Sequence, residues 1–499
     1  MSQSKSLYRR MCQSWLTGPF LLLCFHAELT SADVNANRIR PYAANPRYWQ
    51  YCGEPVLLVG GSKDDNIFQR PDLREHLDEI KAAGGNYIRN TMSDRRTLPN
   101  LLDSGSSEVV GFEVFPFKKL PSGKYDLNRW SNEYWNRLEN LLQWSKQRDI
   151  IVQIEVWDRF DFTDHRGFGA WAAHPYNPAN NINYSSKETG FAREYAKQHP
   201  SRDLQPFFHT VPGMAEYRPS YDAVRKYQER FVDKLLSYTL PYGNVLYCMN
   251  NETSTPPGWG LYWIDRIQRR AAERGVDVYA TDMFDHGYAP ESSDKIRKAI
   301  DTPKQYSFID ISQVNSRNFD EDHWNRLLWY DREIQKHPRP LNNTKIYGSG
   351  ETSWGSGTPE DGIERFWRNI MAGCASARFH RDGAGNGLKA NAKASLAAVR
   401  KVESLAKFWD VHHRNDLLLN RDTDEAYLAC QLGNSYVLYF ADGGTVGLDL
   451  RTYTHEFTLH WVNISDGNWG TKLKISGGEV RPISAPGGGP WVAVLIASK

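Results

Sequence analysis

The chain has 499 residues, of which 40% are hydrophobic and 24% charged, as is ordinary for a globular protein with a large core. Its 61 basic and 59 acidic side chains give a net charge of +2, which offers no reason to expect a nucleic-acid partner. Aromatic residues make up 13% of the chain. Such enrichment favours sugar binding, because aromatic faces stack on sugar rings, but a well-packed core explains it equally well.

The first 32 residues are expected to form a signal peptide. A basic pair at 9–10 precedes an apolar stretch at 15–25, and the small residues at 30–32 offer a cleavage site. The apolar stretch is too short to span a membrane. We therefore expect an exported protein, periplasmic or secreted. Cys24 resembles a lipoprotein attachment site, but the bulky Leu23 before it disfavours a lipid anchor.

Short apolar runs then alternate with amphipathic stretches of helical spacing. Eight strands are predicted, at residues 56–61, 86–91, 150–156, 244–249, 278–283, 307–314, 345–350 and 377–380. Their alternation with helices predicts a (β/α)₈ TIM barrel over residues 45–408. A doubly wound open sheet is the main alternative, but the chain lacks the phosphate-binding fingerprint of that fold.

The composition changes after the last helical stretch. From Ala426 onward, apolar and polar residues alternate with a period of two, and Gly-rich turns separate the segments. This pattern predicts a C-terminal antiparallel β-sandwich over residues 409–499.

Two glutamates follow strands that lie across the mouth of such a barrel from each other. Glu252 follows strand four and Glu351 follows strand seven. Glycoside cleavage needs one carboxyl group to protonate the leaving oxygen and a second to attack the anomeric carbon or activate water. The pair predicts a glycoside hydrolase, retaining if the carboxyl groups are about 5–5.5 Å apart and inverting at about 6.5–9.5 Å.

These positions resemble the clan A glycoside hydrolases, which carry an Asn-Glu pair after strand four and a Glu after strand seven. The resemblance implies that Glu252 is the acid/base, that Glu351 is the nucleophile and that the reaction is retaining. It also implies that Asn251 binds the sugar 2-hydroxyl and that Arg89 on strand two supports the nucleophile. An acid/base must be protonated near neutral pH, so a raised pKa is expected for Glu252.

Two further segments carry a narrower resemblance. Residues 47–49 and 53–60 resemble the start of a barrel family that includes apiosidase-like enzymes, but residues 60–65 depart from its pattern, so the sugar does not transfer. Residues 441–450, 461–463 and 485–487 resemble a β domain named for collagen binding that commonly follows such barrels. No residue of that domain suggests how it would grip a collagen triple helix.

Other polar and aromatic residues follow the predicted strands and are candidates for binding a sugar. Each has a structural alternative, because carboxylates at strand ends often cap the next helix and Trp side chains often anchor loops. The candidates are Asp64, Asp65, Arg89, Trp157, Asp158, Asp285, His286, Trp354, His380 and Arg381.

We therefore expect a hydrolase of a plant or algal polysaccharide or its oligosaccharides, acting without metal or cofactor. Arg89, Arg381 and Lys63 near the mouth leave open an acidic or sulfated sugar. The alternative from another class is a non-catalytic carbohydrate-binding or adhesion protein on a barrel scaffold. The sequence does not indicate the oligomeric state.

Overall fold

The computed structural model of the protein describes residues 35–93, 114–163, 170–195, 205–285, 289–350 and 355–498. The expected signal peptide, with Cys24, lies outside these ranges. Across the described ranges, no helix is long and apolar enough to cross a membrane.

Within the described ranges, eight parallel strands alternate with eight longer helices. Parallel strands one to eight are Leu58–Gly61, Tyr87–Thr91, Ile151–Asp158, Val245–Asn251, Ala280–Thr281, Ile309–Asp310, Leu341–Asn342 and Ser376–Phe379. The helix after each strand is, in the same order, Leu73–Ala82, Asn132–Lys146, Asp222–Thr239, Pro257–Ala272, Asp294–Asp301, Asp320–Glu333, Pro359–Met371 and Ala390–Leu405. Seven of the predicted strands overlap an observed one.

Strand seven differs from its prediction. The parallel pairing is at Leu341–Asn342, next to strand six, rather than at residues 345–350. The predicted segment is more apolar, but only two of its residues form bridges, Ile346 with Phe379 and Tyr347 with Gly385. Strand one also begins later than predicted, because Glu54–Val56 pairs with an antiparallel strand instead.

Pairing between neighbours follows the order of the chain. Ladders join strand eight to strand one, strands two to five in sequence, and strand six to strand seven. Backbone hydrogen bonds also cross the other three gaps. One runs from Asn86 to Val59 (2.9 Å) and one from Ser307 to Ala280 (2.9 Å), and between strands seven and eight they run from Ala375 to Leu341 (2.9 Å), Ile346 to Arg378 (2.9 Å) and His380 to Ile346 (3.0 Å). This is the order that a (β/α)₈ barrel requires.

The amino ends of the strands meet around one apolar cluster. Leu58, Tyr87, Ile151 and Leu246, from strands one to four, pack together with Trp49. Trp49 comes from an antiparallel sheet of Arg40–Tyr42, Asn45–Tyr51 and Glu54–Val56. The carboxyl ends, by contrast, carry the charged side chains of the candidate site.

Residues 412–497 form two antiparallel sheets. The larger contains, in spatial order, His412–His413, Ala426–Gln431, Ser435–Phe440, Trp491–Ala497, Glu456–Asn463 and Trp469–Ser476. The smaller contains Leu418–Leu419, Thr445–Asp449 and Val480–Ser484. Leu438 of the larger sheet shares one buried core with Leu448 and Ile483 of the smaller, which explains the period-two pattern of the sequence.

The larger sheet also packs against the helix after strand seven. Trp367 of that helix stacks on Tyr439, with ring centroids 5.8 Å apart and planes 16° from parallel. The buried guanidinium of Arg368 binds Glu364 of its own helix (2.6 Å) and Asp424 before the sheet (3.0 Å). Burial raises the pKa of Glu364 to about 7, against the opposing effect of Arg368.

Among the described residues, one group of acidic side chains has the spacing of a metal site. Its members are Asp320, Glu364 and Asp424. The Arg368 guanidinium lies within 3.5 Å of a carboxylate oxygen of each, so a cation already occupies the cluster. We interpret it as a structural ion-pair network between helix and sheet.

Arg368→Met is expected to lower the free energy of unfolding by about 2–4 kcal/mol, because it leaves the partly buried carboxylates of Glu364 and Asp424 without their buried cation. Arg451→Met is the matched control. Arg451 forms a similar pair with Asp449, but its side chain is 65% exposed, so a much smaller loss is expected. Denaturant titration of both variants provides the measurement. Equal losses would show that the buried network does not hold the sheet to the helix.

Candidate active site

Glu252 stands directly after strand four in a strained backbone conformation. Its φ is +52°, in the left-handed region that residues other than glycine rarely adopt. Such strain persists only where surrounding contacts enforce it, and it clusters at functional sites. The side chain is 15% exposed, so the carboxylate is largely removed from solvent.

Three side chains donate hydrogen bonds to the Glu252 carboxylate. Lys345 Nζ lies 2.6 Å from Oε1, and the Tyr347 hydroxyl lies 3.1 Å from the same atom. Arg159 NH2 lies 3.1 Å from Oε2. Two of the donors are cations and both carboxylate oxygens accept, so the arrangement favours the ionised form of Glu252.

The raised pKa expected for Glu252 is therefore wrong for the free protein. Burial by itself would raise this pKa, but Lys345 and Arg159 outweigh burial and hold it well below the usual range of a glutamate. The amide of Gln313 acts in the same direction. The expectation failed because it rested on the chemistry of an acid/base and not on the neighbours of this carboxylate.

The amide of Asn251 is held in one orientation beside Glu252. Lys345 Nζ donates to Oδ1 at 2.5 Å, and Nδ2 donates to Asp158 Oδ2 at 3.0 Å. An ammonium group only donates and a carboxylate only accepts, so these two partners determine which end of the amide is oxygen. The second N–H of Nδ2 can donate a hydrogen bond to a sugar hydroxyl.

Asp285 extends this network by way of Arg159. Arg159 NH1 lies 3.0 Å from Asp285 Oδ2, while NH2 of the same guanidinium binds Glu252. Asp285, Arg159, Glu252 and Lys345 therefore alternate in charge around the strand ends. The structure brings together Asp158, Asn251, Glu252 and Asp285, all candidates from the sequence.

A second charged cluster surrounds Asp65. Its carboxylate lies 2.5 Å from Arg89 NH1, 3.1 Å from Arg381 Nε and 3.5 Å from His380 Nδ1. Burial would raise the pKa of Asp65, but these neighbours, Arg89 foremost, hold it well below its usual range. The His380 ring also packs against Tyr347, with centroids 4.6 Å apart, which connects the two clusters.

Two candidates are committed to protein partners. Arg89 is fully buried and binds both oxygens of Glu155, each at 2.7 Å, in addition to Asp65. This burial and pairing favour a supporting role for Arg89, and its contact with substrate stays a prediction. The Asp64 carboxylate is paired with Arg70.

The predicted role of Trp157 in a sugar subsite is also wrong. Trp157 is 3% exposed and packs among Phe207, Phe231, Trp259 and Trp263, with ring centroids 5.3–6.1 Å apart. Along a strand, side chains alternate between faces, so Trp157 points away from the face that Asp158 shares with the site. It belongs to the core between the strands and helices.

Glu351, Trp354 and His286 lie outside the described residues. The separation between the two carboxyl groups, and the retaining outcome that depends on it, therefore stay predictions.

Sequence reasoning missed the cations of the site. Arg159 directly follows strand three, and Lys345 with Tyr347 follows the observed end of strand seven. The signal was available for Lys345, because a lysine flanked by apolar and small residues near a strand end needs a buried partner. The prediction placed the start of strand seven at residue 345 instead of 341, so it assigned Lys345 to the strand and not to the site.

The comparisons with known proteins concern the fold. No protein-family model and no curated protein sequence matches the chain, so the resemblance to the apiosidase-like family stays a prediction. Among solved structures, a glycoside hydrolase family 5 protein from Bacteroides vulgatus is 10% identical, with a TM-score of 0.59. The match covers 93% of this chain and 94% of the other.

Two further structures are similar over 93% of this chain at 10% identity. One, named a glycoside hydrolase, has a TM-score of 0.61 with 97% of its chain covered. The other is an α-amylase from Anoxybacillus, with a TM-score of 0.51 and 97% covered. The chain therefore has a fold found in glycoside hydrolases. At 10% identity the likeness establishes the fold and leaves the chemistry to the residues of the site.

Trp157→Ala is expected to lower the free energy of unfolding by about 3–5 kcal/mol, as for other large aromatic side chains removed from a core. Trp469→Ala is the control, because Trp469 is 46% exposed on an edge strand and its loss is expected to cost about 0.5 kcal/mol or less. Both values come from denaturant titration. A small loss for Trp157→Ala would instead return this side chain to the sugar-binding surface.

Proposed function

We propose that the protein is a glycoside hydrolase that uses Glu252 and Glu351 as its reacting carboxyl groups. The observation that carries the proposal is the position of Glu252. This residue has a strained backbone conformation and directly follows strand four, beside the donor amide of Asn251. The fold shared with glycoside hydrolases supports it. We further propose that the eight strand–helix units close into a (β/α)₈ barrel and that residues 409–499 form a β-sandwich.

The electrostatics support a particular division of roles. A retaining enzyme needs one ionised carboxylate as nucleophile and one protonated acid. Because two cations hold Glu252 in its ionised form, we assign it as the nucleophile and Glu351 as the proton donor. This reverses the roles that the clan A resemblance implies.

The proposed reaction then proceeds in two steps. The Glu252 carboxylate attacks the anomeric carbon while the glycosidic C–O bond breaks and the leaving oxygen takes the proton of Glu351. Water next attacks the anomeric carbon of the glycosyl–enzyme ester, Glu351 accepts a proton from that water, and Glu252 leaves as carboxylate.

The charge of the site supports a neutral sugar. The cations that left an acidic or sulfated sugar open are each paired with a carboxylate, Arg89 with Glu155, Arg381 with Asp65 and Lys63 with Glu79. An anionic sugar would have to displace one of these carboxylates. We therefore propose a neutral sugar unit from a plant or algal polysaccharide or oligosaccharide, handled by an exported enzyme.

Glu252→Ala and Glu351→Ala are each expected to lower kcat/KM by about 10³-fold or more. A panel of polysaccharides, followed by assay of released reducing ends, first identifies a substrate. Glu456→Ala is the control, because Glu456 pairs with Lys474 in the C-terminal sheet, and it is expected to keep wild-type activity. Saturable glycan binding without turnover would support the alternative of a non-catalytic binding protein.

Sodium azide is expected to restore activity to Glu252→Ala on an aryl glycoside of the substrate sugar. Azide would occupy the space of the missing nucleophile and give a glycosyl azide of inverted anomeric configuration, which proton NMR identifies. A glycosyl azide of retained configuration would contradict the assignment and return Glu252 to the acid/base role.

A further inference from the structure

Lys345 lies between two polar residues at the end of strand four, Asn251 and Glu252. Its side chain is 2% exposed, and its Nζ is 2.5 Å from Asn251 Oδ1 and 2.6 Å from Glu252 Oε1. A buried ammonium group is stable only when partners compensate the loss of hydration. The contacts therefore bind the segment after strand seven to the end of strand four across the strand ends.

We propose that Lys345 is a positioning residue that fixes the Asn251 amide and keeps Glu252 as the anionic member of the carboxyl pair. The inference rests on the proposed function for its catalytic meaning, but the geometry on which it stands involves protein groups only. Lys345 does not itself need to touch the sugar.

The first effect of Lys345 is to fix an orientation. With Oδ1 of Asn251 accepting from Lys345 and Nδ2 donating to Asp158, the amide presents only N–H toward a ligand. Without the ammonium group, a flipped amide would place its oxygen beside the Asp158 carboxylate, an unfavourable contact. Lys345 and Asp158 thus act together to make Asn251 a donor.

The second effect is on charge. The groups that face Glu252 are Lys345, Arg159, Tyr347 and the neutral Gln313. Other titratable groups lie one contact further away. Asp285 binds Arg159, and Asp158 binds Asn251. Burial raises the pKa of Asp310, the charge of Lys345 opposes that rise, and the His380 ring packs on Tyr347. Removing Lys345 would leave Arg159 as the cation in contact, shared with Asp285.

The sign of the effect follows from this balance. The folded-state pKa of Glu252 lies below that of an unfolded glutamate, so the ion pairs stabilise the fold above the unfolded pKa and are lost as pH falls. Without Lys345, Arg159 is the cation in contact that still opposes the effect of burial, which raises the pKa of Glu252. The pKa of Glu252 then rises, and protonation begins at a higher pH.

The test compares Lys345→Met with Lys345→Arg, and with Lys393→Met as the control. Lys393 binds Glu79 on the outer helices and has no contact with the site. The ionisation of Glu252 is followed by pH titration of ¹³C-glutamate-labelled protein in the infrared, as the difference between each protein and its Glu252→Gln counterpart. This readout requires no substrate.

In Lys345→Met the Glu252 midpoint is expected to rise by about 1 pH unit or more, the usual effect of one opposite charge at this distance. In Lys345→Arg, which keeps the charge, most of the rise is expected to vanish, and in Lys393→Met no change is expected. With an active substrate, the acid limb of the kcat/KM profile is expected to move in the same direction. Should Lys345→Met not fold, Lys345→Gln gives the same comparison.

An unchanged midpoint in Lys345→Met would overturn the inference, as would an equal rise in Lys345→Arg. These outcomes are distinguishable from failure of the proposed function. If no glycan is hydrolysed but the midpoint moves, Lys345 controls the ionisation of Glu252 in a protein that is not a hydrolase. If glycans are hydrolysed and the midpoint stays, the enzyme stands and the role of Lys345 falls.

Discussion

The ion pair between Lys345 and Glu252 is the contact on which the candidate site depends. Both groups are largely removed from water, and a buried charge without a partner costs several kcal/mol, so neither is stable there alone. Lys345 also fixes the orientation of Asn251, together with Asp158, and connects strand four to the segment after strand seven. The charge of the proposed reacting group and the orientation of the amide beside it thus both depend on Lys345.

The neighbouring buried cations also depend on carboxylate partners. Arg89 is shared between Asp65 and Glu155, and Arg159 between Glu252 and Asp285, so each of these cations bridges two carboxylates from different strands. Apolar side chains fill the amino ends of the strands, while these networks fill the carboxyl ends. The cations of the site are therefore paired with carboxylates, which suits the neutral ligand that we propose.

The sequence was sufficient to predict most of the fold, because hydrophobic periodicity reports directly on burial. Strand three, Ile151–Asp158, is buried along its whole length, as its apolar run indicated, and Glu252 lies at the end of strand four as predicted. Strand seven was misplaced because Leu341–Asn342 is short and polar in part, while the segment after it is more apolar. Hydrogen bonding to the neighbouring strand, and not hydrophobic periodicity, determines where such a strand lies.

The hydrophobic pattern of the sequence does not indicate which side chains contact each other. Trp157 follows strand three as closely as Asp158 does, yet one enters the core and the other the site, because adjacent side chains of a strand face opposite ways. The raised pKa expected for Glu252 failed for a related reason. A mechanism states what a carboxyl group must do, but the cations beside it, brought from distant parts of the chain, decide which state it occupies.

Covalent trapping shows whether Glu252 reacts as the ionised nucleophile that we propose. A 2-deoxy-2-fluoro glycosyl fluoride of the substrate sugar slows hydrolysis of the glycosyl–enzyme, so that the labelled peptide can be sequenced by mass spectrometry. We expect the sugar on Glu252. A label on Glu351 would contradict this expectation and restore the roles that the sequence alone suggested.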